Sequence, residues 1–501
     1  MSPGYQLTPA QLQVQAERKA AKAAAKAAKQ TAAQDPNNQE ADGGGEGSGL
    51  FLKREWINVG GAEGRKGKSV KVITWNVSPL IDCDETMLIH DQMLAQTLVR
   101  RELFPRSDCL RYGDRKPMWK AEIASHSSCD IICLQECDRL NDILPSLPNH
   151  AFVKASGYEK QHGLVVLYNS DRFRVCGAKT LNLDQEEVSS GAGDEARTRR
   201  GGSRQTKNVG LVVGLEEIDG NGSGIVITTT HLFWHPKYSY ERVRQSLCLL
   251  RAIRQFRQDN ECDSWPAMLV GDLNTQPCEA TYQLLTNPSG SLPPTMVEEI
   301  DASRRVHRTV DKIEETTNLI AQADSASVSG PGLVTPSEPD GTATPSEPDG
   351  TTTPASAGPE PEIQETEGSI EPEGKDGTRA PRQSDGILTL EELVTQYEQV
   401  LPDGGLISAY GSAHWNGETF GARGGFREIP ASLIKGEGEP GYTCYTSLFK
   451  LTLDYLFVLP GNNVEVTRVL SVPKGDELGE GLPRKGISAS DHLLVGCEIA
   501  W

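Results

Sequence analysis

"MLVGDLNTQP", from Met268 to Pro277, decides how this chain is read. An apolar run ends in Gly271, and Asp272 and Asn274 follow at once. Taken alone, "GDLN" is a turn signal, because turns favour Gly, Asp and Asn. The same pattern recurs along the chain. "VITWN" ends at Asn76, "IICLQE" at Glu136 and "ITTTH" at His231. "LTLDYLF" holds Asp454 inside a strand-like run, and Asp491 and His492 open the last one, "DHLLVGCEIAW". One such residue is ordinarily a turn or a cap. Several together predict a sheet with ligands and bases set along one edge.

Working outward, the runs "VKVITWNV", "DIICLQE", "GLVVLYN", "NVGLVVGLEEI", "GIVITTTHLFW", "AMLVGDLN" and "LTLDYLFVLP" read as strands. "KPMWKAEIASHSS", "SYERVRQSLCLLRAIRQFRQ" and "ILTLEELVTQYEQVL" read as helices between them. The alternation is that of a mixed α/β domain. It is expected to span 70–501, with an interruption. From about 321 to 386 the chain is rich in Pro, Gly, Ser, Thr and acids, and it repeats "TPSEPDGTA" as "TPSEPDGTT". Such a segment buries too little apolar surface to offset its ordering entropy, so a disordered acidic insertion is expected. Residues 1–69 read as a tail. In "ERKAAKAAAKAAKQ", Lys19, Lys22, Lys26 and Lys29 share one helical face, and "ADGGGEGSG" reads as a flexible linker.

The formal net charge is −19. That would argue against a nucleic-acid substrate, which favours a basic surface. Between Ala321 and Gly386, however, 13 acids face 3 bases, so this segment supplies 10 of the 19 charges. Acidity of the whole therefore does not exclude a phosphate-rich substrate. The eleven cysteines are scattered. Cys129, Cys133 and Cys137 lie four apart, unlike the closer pairs of zinc sites, and read as small buried thiols. No apolar stretch approaches the roughly 18 residues of a membrane span, and "MSPGYQLTPA" has no signal-peptide core. An intracellular protein of cytoplasm or nucleus is expected, rather than mitochondrion, with no membrane partner.

Carboxylates, amides and histidines without a thiolate cluster suit a hard ion such as Mg2+. Such a set suits hydrolysis of phosphate esters. The ordered blocks "WNV", "LQE", "THLFW", "GDLN", "LDYLF" and "SDH" resemble the endonuclease/exonuclease/phosphatase superfamily. "THLFWHPKYSYERVRQ", "SRRVHRTVD" and "EPGYTCYTSLFKLTLDYLF" resemble its carbon-catabolite-repressor-type 3′-5′ exoribonuclease branch, the fungal Ngl-type RNA exonucleases above all. The resemblance covers about 70–319 and 388–501. It implies a DNase I-like fold: a two-sheet β-sandwich flanked by helices.

The resemblance also implies roles. Glu136 matches the principal metal ligand, and Asp491 a carboxylate close to the metal. Asn76 matches an amide holding the metal site and phosphate. Asp272 and Asn274 match the pair that orients the attacking water. His231 matches a phosphate-side donor, and Asp454 and His492 a carboxylate–imidazole pair. Trp234 and Tyr238 are candidates to stack a base of single-stranded RNA. The implied activity is a Mg2+-dependent cut, with Mn2+ as the substitute ion, releasing nucleoside 5′-monophosphates from the RNA 3′ end. Two departures matter. His162 in "KQHGLVVLYN" stands where many deadenylases of this branch have an acid, which argues against strict poly(A) preference. No leucine-rich repeat precedes the nuclease, so scaffold docking is not expected. The alternatives are a nucleotide or small-molecule phosphatase of the same superfamily, and, from another class, a catalytically inactive RNA-binding protein.

Overall fold

The computed structural model describes residues 49–59, 67–77, 104–158, 160, 162–189, 195–220, 222–312, 377–413, 415, 424, 436–461 and 463–501. The Lys-bearing stretch at Lys19 to Lys29 and the acidic repeat lie outside the described residues. Residues from Gly49 to Trp501 belong to one compact unit.

In chain order the strands begin with β1 (Trp56–Asn58), β2 (Ser69–Asn76), β3 (Ile131–Cys137), β4 (His150–Ser156) and β5 (Gly163–Asn169). Then come β6 (Phe173–Asn182), β7 (Val209–Glu217), β8 (Gly224–His231), β9 (Ala267–Asp272), β10 (Val306–His307) and β11 (Thr378–Arg379). The last are β12 (Ile407–Ser408), β13 (Cys444–Tyr445), β14 (Lys450–Leu451), β15 (Asp454–Val458), β16 (Glu465–Leu470) and β17 (Val495–Ala500). One sheet runs β1-β16-β17-β2-β3-β5-β4 and the other β12-β15-β9-β8-β7-β6.

Alternation along the strands builds the layers. In β2, Val70 and Val72 face inward, where they join Ile131, Cys133, Val213, Ile227 and Val270 in a core shared by the two sheets. Ile73 and Trp75 face outward and pack with Met118, Trp119 and Ile123 of the helix Tyr112–Ser125. On the second sheet, Val212, Val226, Leu269 and Phe457 face outward onto Val243, Leu247 and Leu250 of the helix Ser239–Asp259 and Leu393 of Leu390–Val400. Helices thus cover both outer faces. This explains why the inner strands read as unbroken apolar runs: all six residues of β9 are buried.

Two parallel pairs position the site. β2 pairs parallel with β3, and the helix Tyr112–Ser125 lies between them in sequence. β8 pairs parallel with β9, with Ser239–Asp259 between. Parallel neighbours require such crossovers, so the C-terminal ends of both strands in a pair emerge on one edge. Asn76 and Glu136 lie at that end of one pair, His231 and Asp272 at that end of the other.

The boundaries differ from the sequence reading at two places. β1 pairs with β16, so the sheet takes in residues assigned above to the tail. Gly377 to Gly386, assigned to the insertion, are ordered. β11 pairs with β10, and Arg379 binds Asp385 at 2.6 Å and Asp311 at 3.1 Å. Arg197 reaches the same two acids. Composition marks these residues as loop, but their long-range ion pairs hold them. Among the described residues, no helix is long and apolar enough to cross a membrane.

Candidate active site

Gly271 answers the question raised by "GDLN". It is not in a turn but inside β9, at φ +133°, and an added Cβ would lie 2.3 Å from the Thr230 carbonyl oxygen. Only glycine permits this close approach of β8. The register then sets three functional residues in a row. Asp272 pairs with His231 of β8 on one side and with Asp454 of β15 on the other.

Asp272 is buried and held on both oxygens. The Asn274 N–H donates to its Oδ1 at 2.9 Å, and the Asn76 amide donates to its Oδ2 at 2.9 Å. The second bond joins the two sheets. His231 Nε2 and His492 Nε2 stand 3.5 and 3.8 Å from the same Oδ2. Asn274 adopts a left-handed backbone, φ +48°, and its amide donates to the Leu232 carbonyl at 2.9 Å. Its role is therefore to fix the turn and orient Asp272.

Asp454 and His492 form a second buried group. Their Oδ2 and Nδ1 atoms are 2.8 Å apart, and Thr443 Oγ1 donates to the same oxygen at 2.6 Å. Burial disfavours charge on the His492 ring, but the facing Asp454 and Asp272 carboxylates hold it well above the ordinary imidazole range. The Trp75 indole N–H anchors the His492 carbonyl at 2.8 Å. Ser490 ties the last strand to β2 by donating from Oγ to the Asn76 carbonyl at 2.7 Å.

Glu136 sits at a bulge, where the β3–β5 register shifts between Leu134 and Cys137, and it has φ +57°. Bulges next to active sites re-aim a side chain, and here the carboxylate meets His231 Nδ1 at 3.5 Å. Burial raises the Glu136 carboxyl above its ordinary range; the His231 and His492 charges oppose this, and those of Asp491 and Asp272 add to it. A cation placed among these acids would relieve the strain. The donor set fits a divalent metal ion: Glu136, Asp491 and Asp272 bring mutually repelling carboxylates together without a thiolate ligand. Among the described residues, Asp454 Oδ1 is buried without a hydrogen-bond partner. Ligand atoms of Asp272, Asp454 and His492 lie within 4.8 Å of one another, as do those of Cys444, Asp491 and His492. Burial pushes the Cys444 thiol up to about 11, so it is neutral at physiological pH. Among the described residues, Glu136 joins neither cluster, though the Asp491 charge acts on its carboxyl.

The two aromatic candidates part ways. Trp234 is 66% exposed, with its ring 5.1 Å from that of His235 and 6.3 Å from that of Phe233. Tyr238 is 8% exposed, with the Arg204 guanidinium 4.8 Å over its ring and Phe233 against its edge. It does not offer the open face that base stacking requires. The structure adds residues the sequence did not single out. Lys160 and Lys207 line a small cavity with Glu136, His162 and His231. Burial and the Lys160 charge hold His162 down at about 4, so it is neutral there. Thr443 and Ser490 lay within blocks quoted for the resemblance, but only their contacts reveal their work. Nothing in the sequence marked either lysine.

The edge defined by these residues is that of an enzyme hydrolysing ester bonds. The profile of the Endonuclease/Exonuclease/phosphatase family matches residues 111–360, and the chain belongs to this family. A Schizosaccharomyces pombe protein named as a probable RNA exonuclease is 25% identical over 476 residues, covering 90% of this chain and 80% of that one. The probable RNA exonuclease NGL3 of Saccharomyces cerevisiae is 27% identical over 433 residues, covering 81% and 74%. RNA exonuclease NGL2 of the same yeast is 30% identical over 265 residues, covering 47% and 46%.

Proposed function

We propose that the protein is a Mg2+-dependent 3′-5′ exoribonuclease that releases nucleoside 5′-monophosphates from single-stranded RNA. The observation that carries this reading is Asp272: a carboxylate oriented by Asn76 and Asn274, with the imidazoles of His231 and His492 on the same oxygen. The similarity to proteins named RNA exonucleases supports RNA as the substrate.

In this reading Asp272 accepts a proton from the attacking water and aims its oxygen at the phosphorus. The bond from phosphorus to the 3′ oxygen of the preceding nucleotide breaks, that oxygen takes a proton from solvent to leave as the 3′ hydroxyl, and Asp272 returns its proton to solvent. His492, charged because Asp454 faces it, donates to an oxygen of the phosphate as negative charge grows. His231 serves the same phosphate from the Glu136 side. Glu136 and Asp491 would hold the metal, which when bound supplies Lewis-acid stabilisation of the phosphate. Trp234 gives the terminal base a stacking surface.

A second reading, a nucleotide or small-molecule phosphatase, draws on the small cavity in which Lys160 and Lys207 stand beside Glu136. A time course on 5′-labelled single-stranded RNA, with and without Mg2+, tests the choice. Stepwise shortening from the 3′ end that needs Mg2+ is expected. Internal cuts, or turnover of nicotinamide or inositol phosphates with RNA untouched, would overturn the proposal.

A further inference from the structure

Beside the catalytic edge lies a cavity of about 280 Å3, close to the low end of the roughly 300–1,000 Å3 typical of ligand sites. Its wall is cationic: Arg204, Lys237 and Arg305 line it with His235, His307 and Tyr238, and no carboxylate does. Among the described residues, none of the three cations is paired with an acid. Arg204 donates to the Tyr238 hydroxyl at 2.5 Å and lies over the Phe233 and Tyr238 rings, so its guanidinium is fixed in place. Arg305 spends Nε and Nη2 on Thr378, and among the described residues Nη1 has no partner. Lys237 is exposed. On a chain of net charge −19, three uncompensated cations around one hollow call for an anionic occupant.

The local field bears this out. Burial together with the charges of Arg204, Lys237 and Arg242 holds the His235 imidazole below its ordinary range. The Lys237 N–H donates to His235 Nδ1 at 3.2 Å, so the neutral ring keeps its proton on Nε2, as a donor. The cavity is also tethered to the catalytic edge. Arg204 and Lys207 lie on one short segment, and His231 and His235 on another. Four residues span at most about 14 Å of chain. In sequence, exposed Trp234 falls between His231, which lines the small cavity beside Glu136, and His235, which lines this one.

We propose that this cavity binds a backbone phosphate of the substrate strand, upstream of the 3′ end engaged at Asp272. The proposal rests on the RNA reading above. A strand crossing Trp234 would present a stackable base there and place a phosphate among Arg204, Lys237 and Arg305, a stacking platform joined to a basic track.

The test is fluorescence anisotropy of a 5′-fluorescein 20-nucleotide oligouridylate in EDTA, where no turnover occurs, on the full chain and on Lys237→Ala/Arg305→Ala. Loss of two charge-assisted contacts should raise Kd by at least about tenfold. The slope of log Kd against log salt should fall by about 1.4, at about 0.7 per contact for single strands. Lys237→Arg alone should keep the slope. Turnover of the dinucleotide UpU, too short to reach the cavity, should be unchanged in the double variant, with an unchanged melting temperature. An unaltered Kd and slope would overturn the assignment while leaving the exonuclease reading intact. Equal loss on UpU and the 20-mer would move the two residues into the catalytic step or the fold. Binding of the acidic peptide TPSEPDGTATPSEPDGT that is lost in the double variant, with RNA binding kept, would give the cavity to an acidic segment instead. A wild-type chain that neither binds nor cuts RNA would fell both readings at once.

Discussion

His492 Nδ1 lies 2.8 Å from Asp454 Oδ2, and Thr443 donates to the same oxygen. The carboxylate fixes the tautomer and orientation of the ring and favours its charge. Asp454→Asn should therefore fold and bind RNA with little change in KM, yet lower kcat by about 10²–10⁴-fold. Steady-state kinetics separate the two constants. An equal rise in KM with kcat unchanged would show that Asp454 only shapes the substrate site.

Glu136 is held where its charge is disfavoured by burial and opposed by neighbouring acids. Glu136→Gln keeps the shape and removes the charge. In metal-free buffer its melting temperature should equal or exceed that of the wild type. The rise in melting temperature on adding Mg2+ or Mn2+ should shrink, because linkage to a bound ion is lost. Turnover should drop by more than about a hundredfold. Thermal scans with and without metal, run beside an activity assay, check both parts.

The ordered neck of the insertion makes a sharper deletion possible. The Arg308 N–H donates to the Gly377 carbonyl at 3.0 Å, and β10 pairs with β11, so the two ends of the segment meet. Loop closure changes by only about 0.6 kcal/mol per doubling of length. Replacing residues 313–376 with a short Gly/Ser linker should leave melting temperature and kcat nearly unchanged. Arg379→Ala, which strips a cation from buried Asp385, should cost about 1–3 kcal/mol in denaturant unfolding.

His126, at the C-terminal end of the helix Tyr112–Ser125, is held down at about 3 by burial, with the Arg54 charge adding. The unfolded chain takes up this proton near pH 6.5, the folded chain only near pH 3. Between those values acid favours unfolding, so the residue's contribution falls as pH falls, by at most about 1.4 kcal/mol per pH unit. His126→Gln lacks this term. Urea unfolding at pH 7 and pH 5 should show the variant gaining on the wild type as the solution is acidified. A constant difference would remove His126 from the acid response.

The sequence revealed the strands that are buried on both faces and missed those that are not. β2, β3, β8 and β9 read as unbroken apolar runs because helices and a second sheet cover them. β4 and β6 are edge strands with one face open, and β6 mixes Arg174 and Lys179 into a pattern broken by the shift between Val175 and Gly177. β16 carries Glu465 and Arg468 on its half-exposed face. For the site, the residues ending apolar runs were legible because chain ends of parallel strands share an edge. Lys160 and Lys207 were not, since they come from loops whose position depends on the folded sheets. That Arg204 lies over the Tyr238 ring was not legible, because spacing cannot tell whether a ring is free or already covered by an arginine.

The hydrogen bond from Asn76 to Asp272 crosses from one sheet to the other, and a second crossing runs from Gln135 to Thr229 at 3.0 Å. The catalytic edge therefore works as a gauge of the spacing between the sheets. Close, crystal-like packing of the inner layer sets that spacing, and such interiors transmit small displacements rather than absorbing them. A shift of about 1 Å at a reacting group is enough to cost a hundredfold in rate. Trimming the inner layer far from the edge, as at Val213, would thus blunt the enzyme while leaving it folded. In denaturant, activity should fade before the sheets come apart.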